Sequence, residues 1–117
     1  MEFEIPLPAL ASDPTKPDLS IVQRAWWDVI KLVYREAENG RSPMRLTLEL
    51  RIMGGSDMLM APQRGNDLGT ASIEILTVSD AVPDQWETFK QEVADIWMGY
   101  EVNGAKLNAR PHWAKEW

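Results

Sequence analysis

The chain has 117 residues, 44% of them hydrophobic and 26% charged, which fits a single globular domain spanning residues 1–117 rather than a disordered or multi-domain protein. A net charge of −6, with no basic run, argues against nucleic-acid or anionic-membrane partners, and no apolar run approaches the ~20 residues of a membrane span. The absence of cysteine excludes disulfides and thiolate-held metals, and a single histidine, His112, leaves no His-rich metal site.

Residues 2–7 alternate Glu2-Phe3-Glu4-Ile5-Pro6-Leu7, the period-two pattern of a strand with one apolar and one polar face. The Pro- and Asp-containing stretch 8–16 reads as a loop. Asp18 is a candidate cap for a helix running to about Glu38, with Val22, Trp26, Val29, Val33 and Ala37 on its apolar stripe and Asn39-Gly40 as its stop. From Met44 to Ile52 the period returns to two, with Leu46, Leu48, Leu50 and Ile52 facing opposite Arg45, Thr47, Glu49 and Arg51. A Gly-, Pro- and Asn-containing loop, 53–69, precedes a strand over about 70–78. Pro83 then opens a second helix to about Tyr100, whose stripe is Trp86, Phe89, Val93, Ile96 and Trp97 and whose wet side carries Glu87, Lys90, Gln91 and Asp95. A short strand around 106–109 leads into the tail RPHWAKEW.

The order β-α-β-β-α-β predicts an α+β, ferredoxin-like fold: a four-stranded antiparallel sheet with two helices on one face. The uncovered face then carries Glu4, Thr47, Glu49, Arg51, Ser72, Glu74 and Leu76. This is the composition of a solvated surface. It is equally that of a polar site in which Arg51 holds an oxyanion or carbonyl and a carboxylate moves a proton. In the tail, Arg110, His112 and Lys115 cluster with Trp113 and Trp117, so the basic groups can fold over the acidic face while the indoles wall a pocket or close the open end of the core.

The run LELRIMGGSDMLMAPQRGNDLGTASIEI, followed by RPHWAK, resembles the C-terminal part of the sugar-1,4-lactone and alditol oxidases, flavoenzymes of the vanillyl-alcohol-oxidase type. That family pattern has an acidic residue, any residue and arginine on a strand, then a Pro-containing loop with Gly and Asp, and later an Arg-Pro-His-Trp-Gly-Lys run. Here these are Glu49-Leu50-Arg51, Met60-Ala61-Pro62 to Asp67, and Arg110 to Lys115. Glu74 stands where the family often has histidine, and Ala114 replaces a glycine. The resemblance implies a substrate site over a flavin ring, with Glu49, Arg51 and Lys115 binding sugar and His112 close by. It also implies FAD held by a separate domain, so no cofactor is expected on this chain, which shows no Gly-rich phosphate-binding turn.

Three functions follow as expectations. In the first, a stand-alone cap-like domain acts as a cofactor-independent acid–base enzyme on a small oxygenated metabolite, of isomerase, cyclase or lyase type. Glu49, Glu74, Lys115 and His112 are then its catalytic candidates, and Arg51, Thr47, Ser72, Leu76, Arg110 and Trp113 bind substrate. In the second, the chain is a substrate-binding fragment of an FAD-dependent D-arabinono-1,4-lactone or alditol oxidase. In the third it is a binding module that forms a homodimer through open sheet faces. A cytoplasmic location fits the lack of cysteine and of a basic N-terminal signal.

Overall fold

The computed structural model describes residues 1–115; Trp117, assigned above to a pocket wall, lies outside the described residues. The elements are β1 (Glu2–Pro6), β2 (Ala9–Leu10), β3 (Asp13–Pro17), α1 (Ser20–Glu38), β4 (Leu48–Met53), β5 (Thr70–Ile75), α2 (Pro83–Met98), β6 (Glu101–Val102), β7 (Ala105–Lys106) and β8 (Arg110–Pro111). The fold is α+β. One antiparallel four-stranded sheet runs in the order β4-β5-β1-β8.

Pairing sets the site. Across the sheet, Glu49, Glu74 and Glu2 fall in one row, and Arg51, Ser72, Glu4 and Arg110 in the next. Because side chains alternate, these rows share a face, and Phe3, Ile5, Ala71, Ile73 and Ile75 occupy the opposite one. There they form a single core with Ile21, Ala25, Val29 and Leu32 of α1 and with Trp86, Phe89, Val93 and Trp97 of α2. The Phe3 and Trp97 rings meet edge to face at 5.4 Å, and the Trp97 indole N–H donates to the Ala25 carbonyl at 3.3 Å, tying sheet and both helices together.

Several expectations shift. The α1 stripe that is buried is Ile21-Ala25-Val29-Leu32-Glu36; of the stripe read from sequence Val29 is buried and Val22 and Val33 partly so, and Trp27 is left exposed. Tryptophans and valines on adjacent stripes made both faces look apolar. Asp18 does accept a hydrogen bond from the Ser20 N–H at 2.9 Å, although the capping position itself is Leu19. Lys90 is buried rather than wet: its ammonium pairs with Glu87 at 2.8 Å and lies 5.6 Å from the Trp86 ring. The stretch read as a loop near Pro8–Lys16 contains the β2–β3 hairpin. The expected strand at 106–109 is displaced, since β6 and β7 close a hairpin on Asn103 and Gly104, both at positive φ, and the sheet edge is β8.

Candidate functional site

The polar face is not an open surface. Glu4 and Ser72 are almost wholly buried, and Glu2 and Glu74 nearly so. The 54–69 loop and the tail fold back toward this face and fasten to one another. The Arg110 guanidinium donates to the carbonyls of Pro62 at 2.8 Å and Arg64 at 2.5 Å, and to the Asn66 side-chain oxygen at 3.3 Å. Asn66 in turn donates to the Thr70 hydroxyl at 2.8 Å, and the Trp113 indole donates to the Met60 carbonyl at 3.1 Å. Gly55 seats the loop, because a Cβ there would lie 2.5 Å from the Asn66 carbonyl oxygen.

Within this enclosure the charges interlock. Arg51 reaches Glu2 and Glu49 at 2.8 Å each and Glu74 at 3.5 Å. Lys115 reaches Glu74 at 3.0 Å and Glu2 at 3.6 Å. The Ser72 hydroxyl is shared by Glu2, in a short hydrogen bond, and Glu4, at 3.3 Å. Three groups reach the surface: Glu49, Arg51 and Lys115 keep 45%, 46% and 40% of their side-chain area exposed. Buried carboxylates thus form a floor that orients two exposed cations, and Arg51 in turn holds the exposed acid Glu49.

Burial alone would raise the Glu2 pKa; the Ser72 hydroxyl and the charges of Arg51, Lys115 and His112 outweigh it and hold Glu2 below the usual carboxylate range. Glu4 goes the other way. Burial and the neighbouring Glu2 charge raise its pKa against smaller opposing contributions from His112, Ser72 and Arg110, and its Oε2 has no hydrogen-bond partner. The Glu2 charge is the largest influence raising the pKa of Arg51, and the Glu74 hydrogen bond the largest raising that of Lys115.

Of the sequence candidates, Glu49, Arg51, Ser72, Glu74 and Lys115 are brought together. His112 borders them: its backbone N–H donates to the Glu2 carbonyl at 2.9 Å, and its Nδ1 accepts from Ala114 N–H at 3.2 Å. Arg110 and Trp113 hold the loop through its carbonyls. Thr47, which is exposed, precedes β4, and Leu76 follows β5, so both sit beyond the Glu49–Glu74 row at the end of the strand pair. The residue missed as a site candidate is Glu2. Its phase with Glu4 placed it on the polar face, but its role as the floor under Arg51 and Lys115 depends on its register with Glu74.

Among the described residues, no group of three or more His, Asp and Glu side chains is arranged to hold a metal ion, and no helix is long and apolar enough to cross a membrane. Neither a family model, nor a curated protein, nor a solved structure matches this chain.

Proposed function

We propose that this chain is the substrate-binding half of a site for small hydroxyl-rich molecules, of the kind that sugar-1,4-lactone and alditol oxidases place over their flavin. The carrying observation is the Glu49-Arg51-Lys115 triplet, exposed at the surface, with Arg51 and Lys115 fixed from below by Glu2 and Glu74 and Glu49 held by Arg51. Lactone carbonyls and hydroxyl oxygens accept from Arg51 and Lys115, while Glu49 accepts from sugar hydroxyls. Pre-orientation by the buried carboxylates lowers the entropy lost when a ligand docks.

A ferredoxin-like arrangement is the fold reading that goes with this. The strand order β4-β5-β1-β8, with β1-α1-β4 and β5-α2-β8 as its two crossover units, supports it, as does the joint packing of both helices in one core.

Flavin nucleotide does not suit this chain as its own cofactor. The chain shows no Gly-rich turn whose backbone N–H groups would cradle a pyrophosphate. A second body is the better place for it, and an exposed apolar rim of Met58, Leu59, Met60 and Trp113 beside the face supplies a surface for such a body. The acid–base reading is less favoured, because Glu49 and Glu74 are both spent in ion pairs with Arg51 and Lys115.

The test is a titration of the isotopically labelled chain with a pentono-1,4-lactone and with a pentitol, followed by amide NMR shifts. Shifts centred on Glu49, Arg51 and Lys115 are expected, and Arg51→Met or Lys115→Met should each weaken binding about tenfold, the loss of one charge-assisted hydrogen bond. Shifts centred elsewhere, or unchanged affinity in both variants, would remove the proposal.

A further inference from the structure

β4 is an edge strand of the sheet, bonded to β5 on one side only. Its apolar side chains extend beyond the cover that α1 gives them. Leu50 and Ile52 remain 42% and 54% exposed, and with Leu19, Val22 and Trp26 of the α1 end they line an apolar groove along the strand. A six-residue strand that is unpaired on one side and apolar on one face is a template for a further strand. It has no proline and no lysine, and its two charged side chains, Glu49 and Arg51, are opposite in sign.

We infer that the occupant is β4 of a second copy of this chain, paired antiparallel about a two-fold axis through Leu50. The argument is charge complementarity. In that register Leu50 faces its own copy and Leu48 faces Ile52, all on the apolar side. On the polar side Glu49 faces Arg51 of the other copy and Arg51 faces its Glu49, so both charge pairs are opposite in sign. Moving the axis to a neighbouring residue loses this: centring on Glu49 or on Arg51 sets identical charges against each other. The strand is thus self-complementary in one register only among these neighbours. The two sheets become one eight-stranded sheet, since each copy contributes four strands. Glu49 of the second copy lies beside Arg51 of the first, so the two substrate faces share a border. This arrangement meets the polar face only along its β4 border, whereas dimerisation through the whole of that face meets the 54–69 loop and the tail already fastened there. The inference does not depend on the identity of the ligand.

Native mass spectrometry and light scattering test it. Wild-type protein is expected at twice the 13.3 kDa chain mass. Leu50→Lys places two ammonium groups at the axis, and Glu49→Arg sets a new guanidinium against Arg51 in both cross-strand pairs; each should give single chains with unchanged far-ultraviolet circular dichroism. Arg51→Glu should do the same alone, and an equimolar mixture of the Glu49→Arg and Arg51→Glu chains should form a mixed dimer, because every cross-strand pair is again opposite in sign. If Arg51→Glu does not fold beside Glu2 and Glu74, the Glu49→Arg and Leu50→Lys chains decide the matter. Wild-type protein that stays at the mass of one chain overturns the inference. So does a dimer that survives Leu50→Lys and Glu49→Arg, since it must form through another surface.

Discussion

At the scale of single residues, Glu4 is the most exacting position. A carboxylate with no exposed surface and one unpartnered oxygen is costly in its charged form, and the adjacent Glu2, held ionised by its cations, adds repulsion. A folded-state pKa above the unfolded value contributes stability at low pH that is lost as the pH rises past the unfolded value toward the folded one. Glu4→Gln is therefore expected to raise stability at neutral pH by on the order of 1 kcal/mol and to leave it nearly unchanged at pH ~4, below the unfolded value. Thermal melts of both proteins across that range measure it. A destabilised Glu4→Gln at neutral pH would mean that the charge is held by partners that the bare carboxylate geometry does not reveal. The sequence placed Glu4 on the polar face, but nothing in it distinguished a buried carboxylate from a wet one. That difference comes from the loop and tail above it.

At the scale of elements, the connection between the 54–69 loop and the tail is what turns a sheet face into an enclosed site. Arg110 supplies three of its hydrogen bonds from one planar guanidinium, a geometry that lysine cannot copy. Arg110→Lys should cost about 1–3 kcal/mol by leaving carbonyls unsatisfied, and should raise amide hydrogen exchange across 54–69 before it affects α1 or α2. Equal exchange in loop and helices would indicate that Arg110 supports the whole fold rather than this connection. The helices and main strands were legible from period and turn chemistry, because local sequence decides them. The hairpins β2–β3 and β6–β7 were not. Their strands are only two to five residues long, too short for any alternation to stand out.

At the scale of the whole molecule, α1 is anchored to α2 by a second ion cluster. Glu36 bonds Arg41 at 2.6 Å and Arg35 at 2.9 Å, while Arg35 also reaches Glu92 of α2 in a short contact. The Arg41 hydrogen bond leads, against an opposing burial effect, in lowering the Glu36 pKa to about 2 from its ordinary 4.5. A lowered folded pKa gives stability that is complete above pH ~4.5 and lost as the pH falls toward about 2. Glu36→Gln should lose on the order of 1 kcal/mol at neutral pH, a modest figure because its arginine partners are about half exposed and screened, and nothing near pH 2. Denaturant titrations at the two pH values check it. The sequence by itself determined the α+β class, the extents of the two helices to within a few residues, and the membership of Glu49, Arg51, Ser72 and Glu74 in one polar set, since periodicity assigns faces without knowing neighbours; Lys115, in the tail, joined that set only through the family resemblance. The tertiary structure alone decided that Glu2 lies under Arg51 and Lys115, that Glu4 is shut away from water, and that β4 is left with an unpaired edge. Each of these depends on which strand lies beside which and on what folds over them, and those contacts join residues that are dozens of positions apart in the chain.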